Sequence, residues 1–180
     1  MRSLMIAMSL VFVFALGCGG KKKKKTDACT LAKGQAVDKW QAAVKAWTDV
    51  DKGWSDPELV KVVKKVLFKD AEGTVTTAAA NLELKSFTDY LSFKQAHAKK
   101  SLVAAKAAHA ANQGKDMRLA RKKAIRAFGV SADKSSIRSR KNPWFTNPNV
   151  VAVDEQQRKA YNLVTEARSL SKTAEQTCAK

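Results

Sequence analysis

The chain reads as all-α: an up-and-down bundle of about four to five helices, its two ends joined by a disulfide. Three observations predict this. Alanine and lysine abound, and both favour helix, while three prolines and eight glycines are few interruptions for 180 residues. Apolar residues recur at helical spacing through most of the chain beyond residue 27. Cys29 and Cys178 stand near the two ends of that helical stretch.

The first element is not part of the bundle. Arg2 supplies a basic start, and residues 4–16 are apolar except for Ser9. That length matches the apolar core of a secretory signal and falls short of the roughly 20 residues that span a bilayer. The segment ends in Ala15-Leu16-Gly17-Cys18. This resembles the signal of bacterial lipoproteins, in which a small residue precedes the cysteine that receives the lipid. Gly17 and Cys18 match that pattern. Ala15 stands where leucine is usual, and Leu16 where a small residue is usual. The resemblance covers residues 1–18 alone. It implies cleavage before Cys18, a diacylglycerol on its thiol, and a cell-envelope location. Gly19, in place of an aspartate, leans toward the outer membrane over the inner. The competing reading is ordinary signal cleavage after Gly17, which leaves Cys18 a free N-terminal thiol.

Lys21, Lys22, Lys23, Lys24 and Lys25 follow. Like charges this dense are expected to stay extended and solvated, as a tether. Close to an anionic surface each lysine also contributes about 1 kcal/mol of attraction. The expected organisation is therefore a signal over 1–17, a lipidated cysteine and Lys-rich tether over 18–26, and a helical domain over 27–180.

With Cys18 set aside, Cys29 and Cys178 form an even pair, and an even pair in an exported protein predicts a disulfide. Such a bond brings the start of the first helix to the end of the last, as an even number of up-and-down helices does. By the chain-entropy argument so long a loop is worth on the order of 4–5 kcal/mol.

Thr26-Asp27 can cap a first helix over about 27–52. Val37, Trp40, Val44, Trp47 and Trp54 fall on one arc, with Ala36 and Ala43 beside them. The three tryptophans, seven apart, read as a core seam; an exposed aromatic groove is the alternative. Gly53 reads as the stop. Ser55 with Glu58 reads as a capping box, with Pro57 in the first turn. Leu59, Val62, Val63, Val66 and Leu67 then face one way, and Lys61, Lys64 and Lys65 the other.

Residues 74–112 read as a long alanine-rich helix with two apolar stripes. One holds Val75, Ala79, Leu82, Phe93 and Ala104; the other holds Leu84, Phe87, Leu91, Ala98, Leu102 and Ala105. A helix apolar on two sides is expected to lie between neighbours. His97 and His109 point about 120° apart and cannot share one metal.

Asp116 can cap a basic amphipathic helix over about 116–128. Met117, Ala120, Ala124, Ala127 and Phe128 make its apolar face; Arg118, Lys122, Lys123 and Arg126 make the other. Residues 130–150 read as irregular. Residues 115–141 carry ten basic side chains against Asp116 and Asp133. The expected contacts for an anionic partner are Arg118, Lys122, Arg126, Arg138, Arg140 and Lys141, with Trp144 packing on it. The plainer alternative is that Trp144 and Phe145 tuck the segment onto the bundle. Asp154 is the expected cap of a last helix over 154–178, with Ala160, Leu163, Val164, Ala167, Leu170 and Ala174 inside.

Lysine plus arginine number 34 against 16 acids, a formal net charge of +18. Such a balance speaks to partners rather than to fold. Behind an export signal the expected partners are the lipid membrane, through Cys18 and residues 21–25, and an anionic envelope polymer or an acidic protein. Nucleic acid is the alternative if the signal is not one. No cofactor or metal is expected, because two cysteines lack third and fourth ligands. No enzyme is expected either: neither histidine has a nucleophile or acid partner visible in sequence, and no pair of carboxylates is marked as facing across a cleft.

Overall fold

The computed structural model of the chain describes residues 21–69, 74–113 and 143–179, together with Arg118 and Lys122. It is an all-α bundle. The helices are α1 (Lys21–Trp54), α2 (Pro57–Phe68), α3 (Thr74–Gln113) and α4 (Pro148–Ala179). A 3-10 turn, Pro143–Thr146, leads into α4. Cys29 and Cys178 are joined, with Cα atoms 4.9 Å apart.

Three long helices form the core, and each buries residues alternately three and four apart. On α1 these are Ala36, Trp40, Ala43, Trp47, Val50 and Trp54. On α4 the series is Val150, Val153, Gln157, Ala160, Val164, Ala167, Ser171 and Ala174. On α3, Phe87, Leu91, Lys94, Ala98, Ser101, Ala105, Ala108 and Asn112 follow the same rule. This 3.5-residue period is that of a left-handed coiled bundle. All three predicted tryptophans are core residues, each fully buried. Val37 and Val44, placed on the same arc by a 3.6-residue reading, are only half-buried. Supercoiling moves the seam onto Ala36 and Ala43.

α1 runs antiparallel to both partners. Trp40 meets Ser171 and Trp54 meets Gln157 on α4, while the Trp54 carbonyl accepts from Gln95 on α3. α3 and α4 run parallel: Lys94, His97 and Asn112 meet Asp154, Tyr161 and Ser171 in the same order. Their backbones stay farther apart than either stays from α1. Long side chains bridge that gap, which is what creates the site described below.

Several local expectations are corrected. α1 begins at Lys21, so residues 21–25 are helical rather than extended. Lysine is a good helix former, and extending an existing helix costs far less than starting one. Gly53 does not stop α1. A Cβ there would sit 3.0 and 3.1 Å from the two Val153 methyls, so the glycine lets α4 approach. The N-cap of α2 is Asp56, not Ser55; its side chain accepts from the Glu58 N–H at 2.9 Å. Leu59 and Val63 are buried as expected, but Val66 is exposed, because α2 is covered on one narrow side. α4 starts at Pro148, not near 154. Asn147 caps it, its Oδ1 accepting from the Asn149 N–H at 3.0 Å.

The largest correction concerns α3. Its second stripe is core: Phe87, Leu91, Ala98 and Ala105 are buried. Of its first stripe, Ala79, Leu82 and Phe93 face out, Leu82 71% and Phe93 49% exposed, while Ala104 is buried; the Val75 side chain lies outside the described residues. Val103, 67% exposed, lies on the same side. Among the described residues α3 has neighbours on one side only.

Candidate functional site: a polar ladder inside the bundle

Each tryptophan of α1 stands at a polar rung. Seven-residue spacing repeats the same angular position on a coiled helix, so three tryptophans on α1 face three polar groups on α3 and α4.

The first rung surrounds Lys94. Its ammonium lies 2.9 Å from Asp154 Oδ1 and 3.3 Å from Gln157 Oε1. It also sits 5.1 Å from the Trp54 ring centroid and 5.3 Å from that of Tyr90. A lysine this deeply buried needs such company, because an unpaired buried charge is strongly destabilising. Gln157 Oε1 also accepts from Trp54 Nε1 at 2.9 Å. Asp154, expected to cap α4, is instead nearly two turns inside it and pairs with Lys94. Burial, with the negative charge of Asp154, raises the Tyr90 hydroxyl above its usual range, so it stays protonated.

The second rung joins His97 to the Tyr161 hydroxyl, with Ser101 Oγ 3.3 Å from His97 Nε2. Trp47 packs edge-on against both rings, its centroid 4.9 Å from Tyr161 and 5.8 Å from His97. Burial, then Lys94 and Lys100, lower His97 from 6.5 to about 4, so it is neutral near pH 7. Both hydroxyls meet the same ring nitrogen, Nε2, which in a neutral imidazole is either the donor or the acceptor according to the tautomer.

The third rung centres on Ser171. Its Oγ accepts from Trp40 Nε1 at 2.9 Å. Its single proton lies between the Asn112 Oδ1, 3.0 Å away, and the Ala167 carbonyl, 2.8 Å away. Asn112 donates in turn to the Ala108 carbonyl at 3.0 Å.

These rungs orient the helices. Asp154 is the carboxylate of the ladder, and among the described residues no cluster of three or more histidines, cysteines and acids could hold a metal. Sequence reading missed the ladder. The available signal was polar residues at core positions of the 3.5-residue frame: Lys94 and Ser101 on α3, Gln157 and Ser171 on α4.

The expected anionic-partner residues fare differently from one another. Arg118 and Lys122 are helical and exposed. Arg126, Arg138, Arg140, Lys141 and Cys18 lie outside the described residues. Trp144 is corrected: it is 1% exposed, with ring centroids 5.3 Å from Phe87 and 4.9 Å from Tyr90. It closes the bundle beside Lys94 and cannot stack on a partner. No family model matches the chain, and no curated protein or solved structure matches it significantly.

Proposed function

We propose that this is a lipid-anchored bacterial envelope protein whose basic helical domain binds an anionic component of the envelope or an acidic protein. Cleavage before Cys18 leaves a lipidated cysteine close to the start of α1, and the outer membrane is the favoured location. The observation that carries this reading is the Cys29–Cys178 bond. Disulfides persist in oxidising compartments, so the bond supports the export implied by residues 1–18. Membrane attachment then falls to the lipid, since no described helix is long and apolar enough to cross a bilayer. The exposed lysines Lys61, Lys64 and Lys65 of α2 and Lys69 just after it, with Arg118 and Lys122, supply positive charge for the partner.

Intact mass of the native protein from the membrane fraction tests this. The expected species starts at Cys18, carries acyl mass, and gains two hydrogens on reduction. An uncleaved chain with reduced thiols refutes the reading and returns nucleic acid as the partner. Partner binding is expected to weaken steeply with salt, because exposed charges are screened beyond about 10 Å at 0.1 M.

A further inference from the structure

Of the three long helices, α3 is the least tied. The Cys29–Cys178 bond joins α1 to α4 and leaves α3 out. The α3 and α4 backbones stay apart, so α3 is held by packing on α1 and by the polar rungs. Its two halves are held unequally. Between Ala80 and Leu91 the core receives Phe87 and Leu91, α2 packs on the same helix, and Trp144 lies against Phe87 and Tyr90. Between Ala98 and Asn112 the buried residues are Ala98, Ser101, Ala104, Ala105, Ala108 and Asn112, all small or polar, with Leu102 half-buried beside them. Such side chains bury little apolar area, so packing stabilises this half least.

His97 stands at the head of the weaker half. Its buried ring stacks on Tyr161 of α4, with centroids 5.9 Å apart, and meets the Trp47 ring of α1 edge-on. One side chain therefore touches both neighbouring helices. The groups around it are these. On α3, Lys94 and Lys100 carry positive charge and Ser101 Oγ faces Nε2. On α4, the Tyr161 hydroxyl meets the same nitrogen, while the Asp154 carboxylate, one rung away, is engaged by Lys94. On α1 the contact is the Trp47 ring. Burial, then Lys94 and Lys100, oppose a proton on the imidazole while it is held there.

We infer that His97 is a clasp holding residues 97–113 of α3 against α1 and α4, and that acid releases this half of the helix while the ring-rich half stays docked. The device is independent of the anchored reading above and operates whether or not Cys18 carries lipid. Docked, His97 takes up a proton only near pH 4; released into water, it does so near 6.5. The docked half is therefore fully favoured above pH 6.5 and loses ground as pH falls toward 4, because the released state binds the proton first. With those two values the opening constant rises about thirtyfold between pH 8 and pH 5. Release bares the Trp47 ring and parts Asn112 from Ser171. Freed of its packing, the helix end frays and its amides exchange.

The test is amide hydrogen exchange of the full, disulfide-bonded chain, resolved along the sequence at pH 8 and pH 5 and corrected for intrinsic exchange. Protection over residues 98–113 is expected to fall about thirtyfold, while residues 80–91 keep theirs. Unchanged protection over 98–113 overturns the inference. So does an equal fall over 80–91, which would mean that the whole bundle loosens together. His97→Gln should abolish the fall, and a fall that survives this substitution refutes the clasp. Removing a buried ring can itself unfold the domain, so a second variant acts from the surface. Lys100 is exposed, and Lys100→Glu replaces a charge that opposes protonation of His97 with one that favours it. Docked and released states then differ less in proton affinity, and the fall should be smaller than in the parent chain. An undiminished fall in Lys100→Glu counts against His97 as the titrating group.

Discussion

The two ends of the bundle are held by different means. At one end Trp54, Tyr90, Trp144 and Phe87 pack ring against ring in succession, Lys94 sits over Trp54 and Tyr90, and Val150 and Val153 belong to the same core. At the other, alanine dominates among the described residues: Ala36, Ala104, Ala105, Ala108 and Ala174 are buried, with Trp40 the one large ring described among them, and Cys29–Cys178 ties the last turns. Burial free energy scales with apolar area, so a tryptophan contributes several times what an alanine does. The covalent bond sits where packing supplies least. Small side chains let the backbones come close but leave little area to bury, and the disulfide compensates by restricting the unfolded chain.

Trp54→Ala is the largest expected perturbation. It removes a fully buried ring and leaves Gln157 and Lys94 without part of their company, so a loss of about 3–5 kcal/mol is expected in urea unfolding. A loss under about 1 kcal/mol would show that rings do not hold that end. Replacing both Cys29 and Cys178 with serine is expected to cost about 3 kcal/mol. Amide exchange should then quicken around Ala108, Asn112 and Ser171 while Phe87 and Leu91 stay protected. Uniform quickening along α3 would break the contrast between the ends.

Acid probes the rung between them. His97 is lowered to about 4 in the fold, against 6.5 for an unperturbed histidine. The unfolded chain therefore binds the extra proton first, and stability falls as pH drops from about 6.5 to 4, flattening below. The expected loss is on the order of 2 kcal/mol, and His97→Gln should remove this part of the pH dependence. An unchanged slope in that variant would place the titration elsewhere. The smallest effect belongs to Asp56→Ala, which removes the α2 cap at the ring-rich end and should cost about 1 kcal/mol. Thermal unfolding can compare it with Trp54→Ala: if the two match, the ring cluster is overstated.

Much of the fold was legible. Trp40, Trp47 and Trp54 announce a helical core seam by spacing alone, and Cys29 with Cys178 announce the closure of the bundle. Local capping was half legible: a cap before Pro57 was visible, but Ser55 and Asp56 both satisfy that rule, and only backbone geometry chooses Asp56. The two stripes of α3 were visible too, yet nothing in their composition said which would be covered. The ladder was hidden for a related reason. Lys94 and His97 look like surface residues of an alanine-rich helix, and Asp154 looks like a cap. Their burial depends on residues about 60 positions away in the chain.

By itself, then, the order of amino acids determined helix, the core seam of α1, the disulfide partners and the positive charge, because these follow from periodicity, propensity and pairing along a single segment. Tertiary structure alone decided that α3 and α4 run parallel with a gap between them, that polar side chains cross it, that Trp144 plugs the bundle, and that Leu82, Phe93 and Val103 are left outside. Those outcomes depend on how closely backbones approach, which small residues such as Gly53 permit at one interface and long side chains such as Lys94 and Tyr161 prevent at the other.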